Sequence, residues 1–253
     1  MKIARFVHNG EVGLGEVQEG SQRLTVLQGE LFGALQRTER EVPISEVKLL
    51  APLEVNQFLC VGLNYLDHIK EKNRHIPEEP MVFMVSKTAL AAPESVVELP
   101  YPEHLVEYEA ELAIVIGRQG RKIPRELAKD YILGYTCCND VSDRVLQEKD
   151  RQYTRAKSFD NFKPLGPWIS TDIDPLHVDI ELRLNGQVRQ QSNTSQMVFD
   201  PYQLVESISH FMTLHPGDVI ITGTPGGVGA MKPGDQIEVE IEGIGTLRHR
   251  VKG

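Results

Sequence analysis

Glu107-Tyr108-Glu109-Ala110-Glu111-Leu112-Ala113-Ile114-Val115-Ile116 is the stretch on which the fold turns. Its acids recur every second residue, the period that a β-strand imposes, so Glu107, Glu109 and Glu111 would share one face. Tyr108, Ala110, Leu112, Ile114 and Ile116 make the other face an apolar stripe that demands burial. Further strand-like runs lie at Phe58 to Val61, Met81 to Val85, Val178 to Leu184, Val219 to Thr222 and Gln236 to Ile241. Helix candidates are fewer: Tyr65 to Lys72, Pro124 to Lys129, part of Val141 to Asp150, and Pro201 to Phe211, where Leu204, Ile208 and Phe211 recur at helical spacing. The strands do not alternate regularly with helices. The expected class is therefore a β-dominated α+β body rather than a doubly wound or barrel α/β fold.

Upstream, Lys2 to Val7, Val12 to Val17 and Arg23 to Leu27 alternate with Gly and polar turns such as Glu19, Gly20 and Ser21. Glu30 to Gln36 is expected to form one or two helical turns before Pro43. This reads as a small N-terminal β-rich lobe, residues 1–52, ahead of a main body, residues 53–253.

The 253 residues carry 27 basic and 36 acidic side chains, a net charge of -9, which disfavours a nucleic-acid surface. The densest basic stretch (Arg118, Arg121, Lys122, Arg125) is broken by Gly and Pro and reads as a solvated turn. No run approaches the ~20 apolar residues of a membrane span. Met1 to Asn9 lacks the apolar core of a signal peptide, so none is expected. Cys60, Cys137 and Cys138 are an odd set without a Cys-x-x-Cys, and adjacent cysteines suit a disulfide poorly. A reducing cytoplasm is the expected setting.

Carboxylates ~7 Å apart along one strand repel unless a positive charge sits among them. The alternative is a half-exposed strand with a solvated acidic face. A divalent cation would satisfy the first reading, and hard oxygen ligands suit Mg²⁺, Mn²⁺ or Ca²⁺ rather than zinc. Asp140, in Cys138-Asn139-Asp140-Val141-Ser142-Asp143, could supply a third ligand at a strand end, or could cap a helix beginning near Val141. Two Glu and one Asp would leave about half of an octahedral site open to a substrate.

His68 and Glu71 stand three residues apart, on one face of a helix. They form either a surface ion pair or a dyad in which the carboxylate orients the imidazole for proton transfer. The polar, proline-bounded stretch from Lys72 to Pro80 could then serve as a lid. Lys157, in Ala156-Lys157-Ser158-Phe159-Asp160-Asn161-Phe162, is either an exposed turn lysine or a partner for a substrate carboxylate. Thr222-Gly223-Thr224-Pro225-Gly226-Gly227-Val228-Gly229 would let backbone N–H groups approach an anion, but it lacks the Gly-Lys-Ser/Thr of a P-loop.

Taken in order, these segments resemble the fumarylacetoacetate hydrolase family: Cys60 to Tyr65 with His68 and Glu71; Tyr108 to Gly117; Asn139 to Ser142 with Arg144 and Gln147; Ala156 to Asp160 with Pro164 to Ile169; Thr213 to Ile220; and Thr222 to Gly229. The resemblance implies a stacked mixed β-sheet roll, commonly dimeric, so a homodimer is expected. It also implies Mg²⁺ or Mn²⁺ on Glu109, Glu111 and Asp140, with Glu107 outside the ligand set. His68 and Glu71 match the family's lid dyad, and Gln147, Lys157 and Thr224 match positions that hold an oxo-acid substrate. Asp143 and Val145 depart from the family's pattern, which has Ala and Asp there, and Asp143 would add an acid near the metal.

A metal with open positions can chelate a 2-oxo acid and stabilise its enolate. The resemblance therefore implies an enzyme acting on 2-oxo or 2-hydroxy-dienoic acids, first of all a 2-hydroxyhepta-2,4-diene-1,7-dioate isomerase of aromatic-compound degradation. Lys157, or the backbone at Gly226 and Gly227, would then meet the far carboxylate. The alternatives are an acylpyruvate or fumarylpyruvate hydrolase, an oxaloacetate decarboxylase and, more remotely, a non-catalytic oxo-acid binding protein.

Overall fold

The computed structural model describes residues 1–18 and 20–253; Glu19, in the turn expected at 19–21, lies outside them. Ten strands follow one another across the main sheet: Leu35–Pro43, Arg23–Gly29, Glu11–Val17, Lys2–His8, Lys163–Ser170, Ile132–Asn139, Ala110–Ile116, Val219–Ile221, Phe58–Gly62 and Met81–Val85. Two short strands attach at its sides. A five-stranded sheet (Gln187–Asn193, Asp179–Leu184, Gln236–Ile241, Gly245–Lys252, Val96–Glu98) packs against the main sheet. The molecule is thus the β-dominated stack of mixed sheets that the sequence suggested. Ala110–Ile116, buried along its whole length, lies in the core.

The N-terminal strands do not form a detached sheet. Lys2 pairs with Ser170 and Ile3 with Ile169, which joins residues 1–52 edge-on to the main body. A small separate cluster, Ala4, Phe6, Val17 and Leu24, lies beneath them. The helix expected over Glu30 to Gln36 is absent. Gly33 N donates to Glu30 O at 2.9 Å in a tight turn, and the chain returns as the strand Leu35–Pro43. Its charged sequence, Leu-Gln-Arg-Thr-Glu-Arg-Glu-Val-Pro, suits an exposed sheet edge, where charges deter pairing with other chains.

The acidic stretch is not one strand. It breaks at Glu109, with Val106–Tyr108 in a three-stranded sheet and Ala110–Ile116 in the main sheet. At the break Glu109 N donates to Asn139 Oδ1 at 2.8 Å, and Asp140 N donates to Glu109 O at 2.9 Å. The solvated acidic face is likewise excluded, since Glu107, Glu109 and Glu111 are only 9%, 5% and 2% exposed.

Among the described residues four α-helices accompany the sheets: α1 Leu66–Glu71, α2 Arg144–Asp150, α3 Thr154–Lys157 and α4 Pro201–Phe211. Asp200 caps α4 by accepting from Tyr202 N and Gln203 N, and the Gln203 side chain returns a bond to Asp200 N. Pro124 to Lys129, expected as a helix, lies in a 3₁₀ segment, Arg125–Tyr131, with Pro124 at its N-cap. Among the described residues no helix is long and apolar enough to cross a membrane. All three cysteines are free and buried.

Candidate metal centre and active site

Glu109, Glu111 and Asp140 each bring a carboxylate oxygen to within 4.8 Å of the others. The strand break delivers them: Glu109 sits at the break, Glu111 follows in the main sheet, and Asp140 comes just after the neighbouring strand Ile132–Asn139. Three cations of the chain surround them. Lys157 Nζ donates to Glu109 Oε2 and Asp140 Oδ2, both at 2.6 Å. Arg144 reaches across to Glu109 Oε1 and donates through Nε to Glu107 Oε2 at 2.6 Å. Lys163 Nζ approaches Asp140 Oδ1 to 2.6 Å, outside hydrogen-bonding angles, so this buried oxygen has an ion-pair contact but no hydrogen bond.

Burial alone would raise the Glu109 pKa, but Arg144 and Lys157 outweigh it and hold this carboxyl well below the usual range. Glu111 goes the other way. Burial raises its pKa, the nearby Asp140 and Glu109 charges raise it further, and the backbone N–H of Gly223 is its hydrogen-bond donor. No ion pair reaches Glu111 among the described residues. Burial disfavours the charged form of Lys157, yet Asp140 and Glu109 more than compensate and keep it protonated.

α1 approaches the acids from the side of the glycine-rich loop. Asn64, buried ahead of α1, donates to Thr222 O at 2.8 Å and Phe199 O at 3.0 Å and accepts from Phe199 N at 2.9 Å. His68 is buried on α1, its Nδ1 3.3 Å from Glu71 Oε2. Glu71 also accepts from Gly227 N, at 3.3 Å through Oε2, so that backbone donor is already engaged. Gln190 braces the loop from beneath: Nε2 donates to Thr224 Oγ1 and Pro225 O, both at 2.8 Å, while Oε1 accepts from Ala110 N at 2.9 Å.

A cavity of about 70 Å³ brings His68, Glu109, Glu111, Gln147, Lys157 and Thr224 together. Asp140 lies behind Lys157, and Glu71 behind His68. Gln147 Oε1 accepts from Arg144 Nη1 at 2.8 Å. Lys157 is not an exposed turn residue: it ends α3, is 4% exposed and gives hydrogen bonds to two site acids. Asp140 does not cap a helix either. Asp143 does, accepting from Leu146 N at 3.0 Å through Oδ1 while Oδ2 meets His104 Nδ1 at 2.7 Å. The additional acid expected near the metal is thereby committed to α2 and lines neither this cavity nor the wider one beyond it.

Arg144, Lys163, Asn139 and Gln190 carry this arrangement, and reading the sequence assigned none of them a part in it. Arg144 and Asn139 stood within a recognised motif. Lys163 and Gln190 had no local signal, because both act through contacts between distant segments.

Residues 57–252 match the family of the fumarylacetoacetate (FAA) hydrolase C-terminal domain, and residues 1–52 match the Rv2993c-like, N-terminal family. The structure of 5-carboxymethyl-2-hydroxymuconate delta-isomerase from Mycobacterium smegmatis is 42% identical, with a TM-score of 0.93 over 100% of this chain and 99% of that one. That of 2-hydroxyhepta-2,4-diene-1,7-dioate isomerase from Mycobacterium marinum is 40% identical, with a TM-score of 0.92 over 100% and 98%. The mitochondrial oxaloacetate tautomerase FAHD2A of Bos taurus is 39% identical over 93% of this chain and 78% of its own length. With its stacked sheets and the family match across the main body, the chain belongs to the fumarylacetoacetate hydrolase family.

Proposed function

We propose that the chain is a divalent-metal-dependent enzyme that moves a proton on a 2-oxo or 2-hydroxy-dienoic acid, with 2-hydroxyhepta-2,4-diene-1,7-dioate as the leading substrate. The observation that supports this best is the small cavity whose walls His68 shares with Glu109 and Glu111. The donor set fits a hard cation. It is all oxygen, buried and close-set, and Glu111 and Asp140 Oδ1 are not fully satisfied by the chain's own donors. Glu109, Glu111 and Asp140 would hold Mg²⁺ or Mn²⁺, which would supply Lewis acidity to the 2-oxo-acid end of the substrate.

The remaining roles fall to side chains. Lys157 and Arg144 offset the negative charge of the acids, and Gln147 and Thr224 offer polar contacts along the cavity wall. His68, oriented by Glu71, takes the proton lost from the C2 hydroxyl of the dienol and returns it at C5, the far end of the conjugated system, leaving a 2-oxo-3-ene acid. The cavity's Val61, Met81 and Phe83 supply an apolar wall that limits access of water to the carbon being protonated. A second reading, keto-enol tautomerisation of oxaloacetate, uses the same proton transfer and is supported by the tautomerase relative.

The test is a panel of the seven-carbon dienol diacid, oxaloacetate and an acylpyruvate, with Mg²⁺ or with EDTA. EDTA-sensitive loss of the dienol absorbance without carbon dioxide release or C–C cleavage is expected. Enol-to-keto conversion of oxaloacetate alone would select the second reading. Acylpyruvate cleavage or decarboxylation in place of isomerisation would overturn both.

A further inference from the structure

Beyond the small cavity lies a wider one of about 490 Å³, and the two share Leu63, His68, Arg144, Gln147 and Tyr153 as walls. They form one continuous recess, with the acids at its floor and Lys72 and Arg74 at its mouth. Among the described residues, neither Lys72 nor Arg74 has an ion pair or a side-chain hydrogen bond, so both cations are free. Among the described residues the one acid lining the wider cavity, Glu107, is already taken by Arg144 Nε at 2.6 Å. On a chain of net charge -9, this mouth is a local positive site facing an otherwise acidic molecule.

The backbone that carries the two cations is fixed by the way α1 ends. Asn73 stands at φ 48°, in the left-handed region that asparagine tolerates. Asn73 N donates to Lys70 O at 3.1 Å and Arg74 N to Ile69 O at 3.0 Å, the paired bonds of a Schellman motif. The backbone of Lys72 and Arg74 is therefore fixed four and six residues beyond His68. Leu63 and Leu105 lie along the recess, an apolar passage suited to a carbon chain.

We infer that Lys72 and Arg74 form a subsite for a second anionic group, so that the recess takes a dicarboxylate with its 2-oxo end at the acids and its far carboxylate at the mouth. This places the far carboxylate away from Lys157, which is committed to Glu109 and Asp140, and away from Gly227, whose N–H meets Glu71. The inference rests on the proposed chelation of a 2-oxo acid in the inner cavity and assigns the residues that would meet its far carboxylate.

The experiment compares calorimetric binding of 2-oxoheptanedioate and 2-oxoheptanoate, which differ only in the far carboxylate, with Mg²⁺ and with EDTA. The intact protein is expected to bind the diacid about tenfold or more tightly, as two charge-assisted contacts at an open mouth would give. In K72M/R74M the ratio of the two affinities should fall to about one, whereas K72R/R74K should restore it. The preference should also shrink as salt is raised. Metal-dependent binding of both acids with no preference, or a preference that survives in K72M/R74M, would overturn the subsite while leaving the chelation reading intact. Binding of neither acid in Mg²⁺ would overturn both.

Discussion

Asn139 Nδ2 lies 2.7 Å from His249 Nε2, and both side chains are fully buried. The Asn139 amide is oriented by its other end, where Oδ1 accepts from Glu109 N, so Nδ2 must be the donor and Nε2 of the imidazole the acceptor. His249 therefore has to be neutral, and burial pushes its pKa down to about 4. Unfolded histidine titrates near 6.5. Between these values the unfolded chain binds a proton that the folded chain refuses. Stability present above about pH 6.5 should fall by about 3 kcal/mol as pH drops through 4. Urea unfolding from pH 7 to 4 should show this loss in the native chain and a shallower one in H249Q, which keeps an acceptor but does not titrate. Equal slopes would mean that His249 is protonated in the fold.

Glu109 and Glu111 belong to one candidate metal centre, yet their environments predict opposite effects on the metal-free protein. The Glu109 carboxyl is held in its charged form by Arg144 and Lys157, so E109Q takes one of two carboxylate partners from each of two buried cations, leaving them Glu107 and Asp140, and should cost roughly 1.5 to 3 kcal/mol. Glu111 has a raised pKa and accepts a backbone N–H, so E111Q should change stability by no more than about 1 kcal/mol. Both variants should lose the stabilisation that Mg²⁺ gives the native chain. Thermal unfolding in EDTA and in Mg²⁺ separates the two effects. Equal destabilisation of E109Q and E111Q in EDTA would show that the charges are distributed differently.

What the sequence revealed follows from where the physics is local. The period-two acids exposed Glu109 and Glu111, the residue order around Asp140 exposed the third acid, and the 3.6-residue spacing in Pro201–Phe211 gave α4 with its limits. Lys163–Ser170 did not read as a strand, because Pro164, Gly166 and Pro167 interrupt it and nearly all of it is buried, which removes the alternation that marks a half-exposed strand. The break at Glu109 was hidden for another reason. It depends on Asn139, thirty positions away in sequence, receiving the Glu109 N–H. Arg144 and Lys163 find their acids only once three segments converge, and no spacing within a single segment records that.

His68 is buried on α1 and makes no bond to any of the three acids, so removing it should leave the metal centre in place. H68A is expected to bind Mg²⁺ as the native chain does while turnover falls ~100 to 10,000-fold, the usual contribution of a positioned acid-base group. Calorimetric Mg²⁺ titration beside steady-state rates checks the pair of outcomes. Unchanged turnover would remove the imidazole from the chemistry, and loss of Mg²⁺ binding would make it part of the metal centre.

Gly223 contributes a backbone N–H to Glu111 from a backbone at φ 96°, and a Cβ there would sit 2.8 Å from Asn64 Cβ. G223A should therefore cost stability twice, through left-handed strain of roughly 1 to 3 kcal/mol and through a collision that displaces the N–H from the carboxylate. Gly234 supplies the control. Its φ is 95°, nearly the same, but an added Cβ would meet nothing within 4 Å. G234A should carry only the backbone cost and bind Mg²⁺ normally, whereas G223A should be less stable and bind Mg²⁺ more weakly, although neither position is a ligand. Similar stability and similar Mg²⁺ affinity in the two variants would show that the glycine loop does not position Glu111.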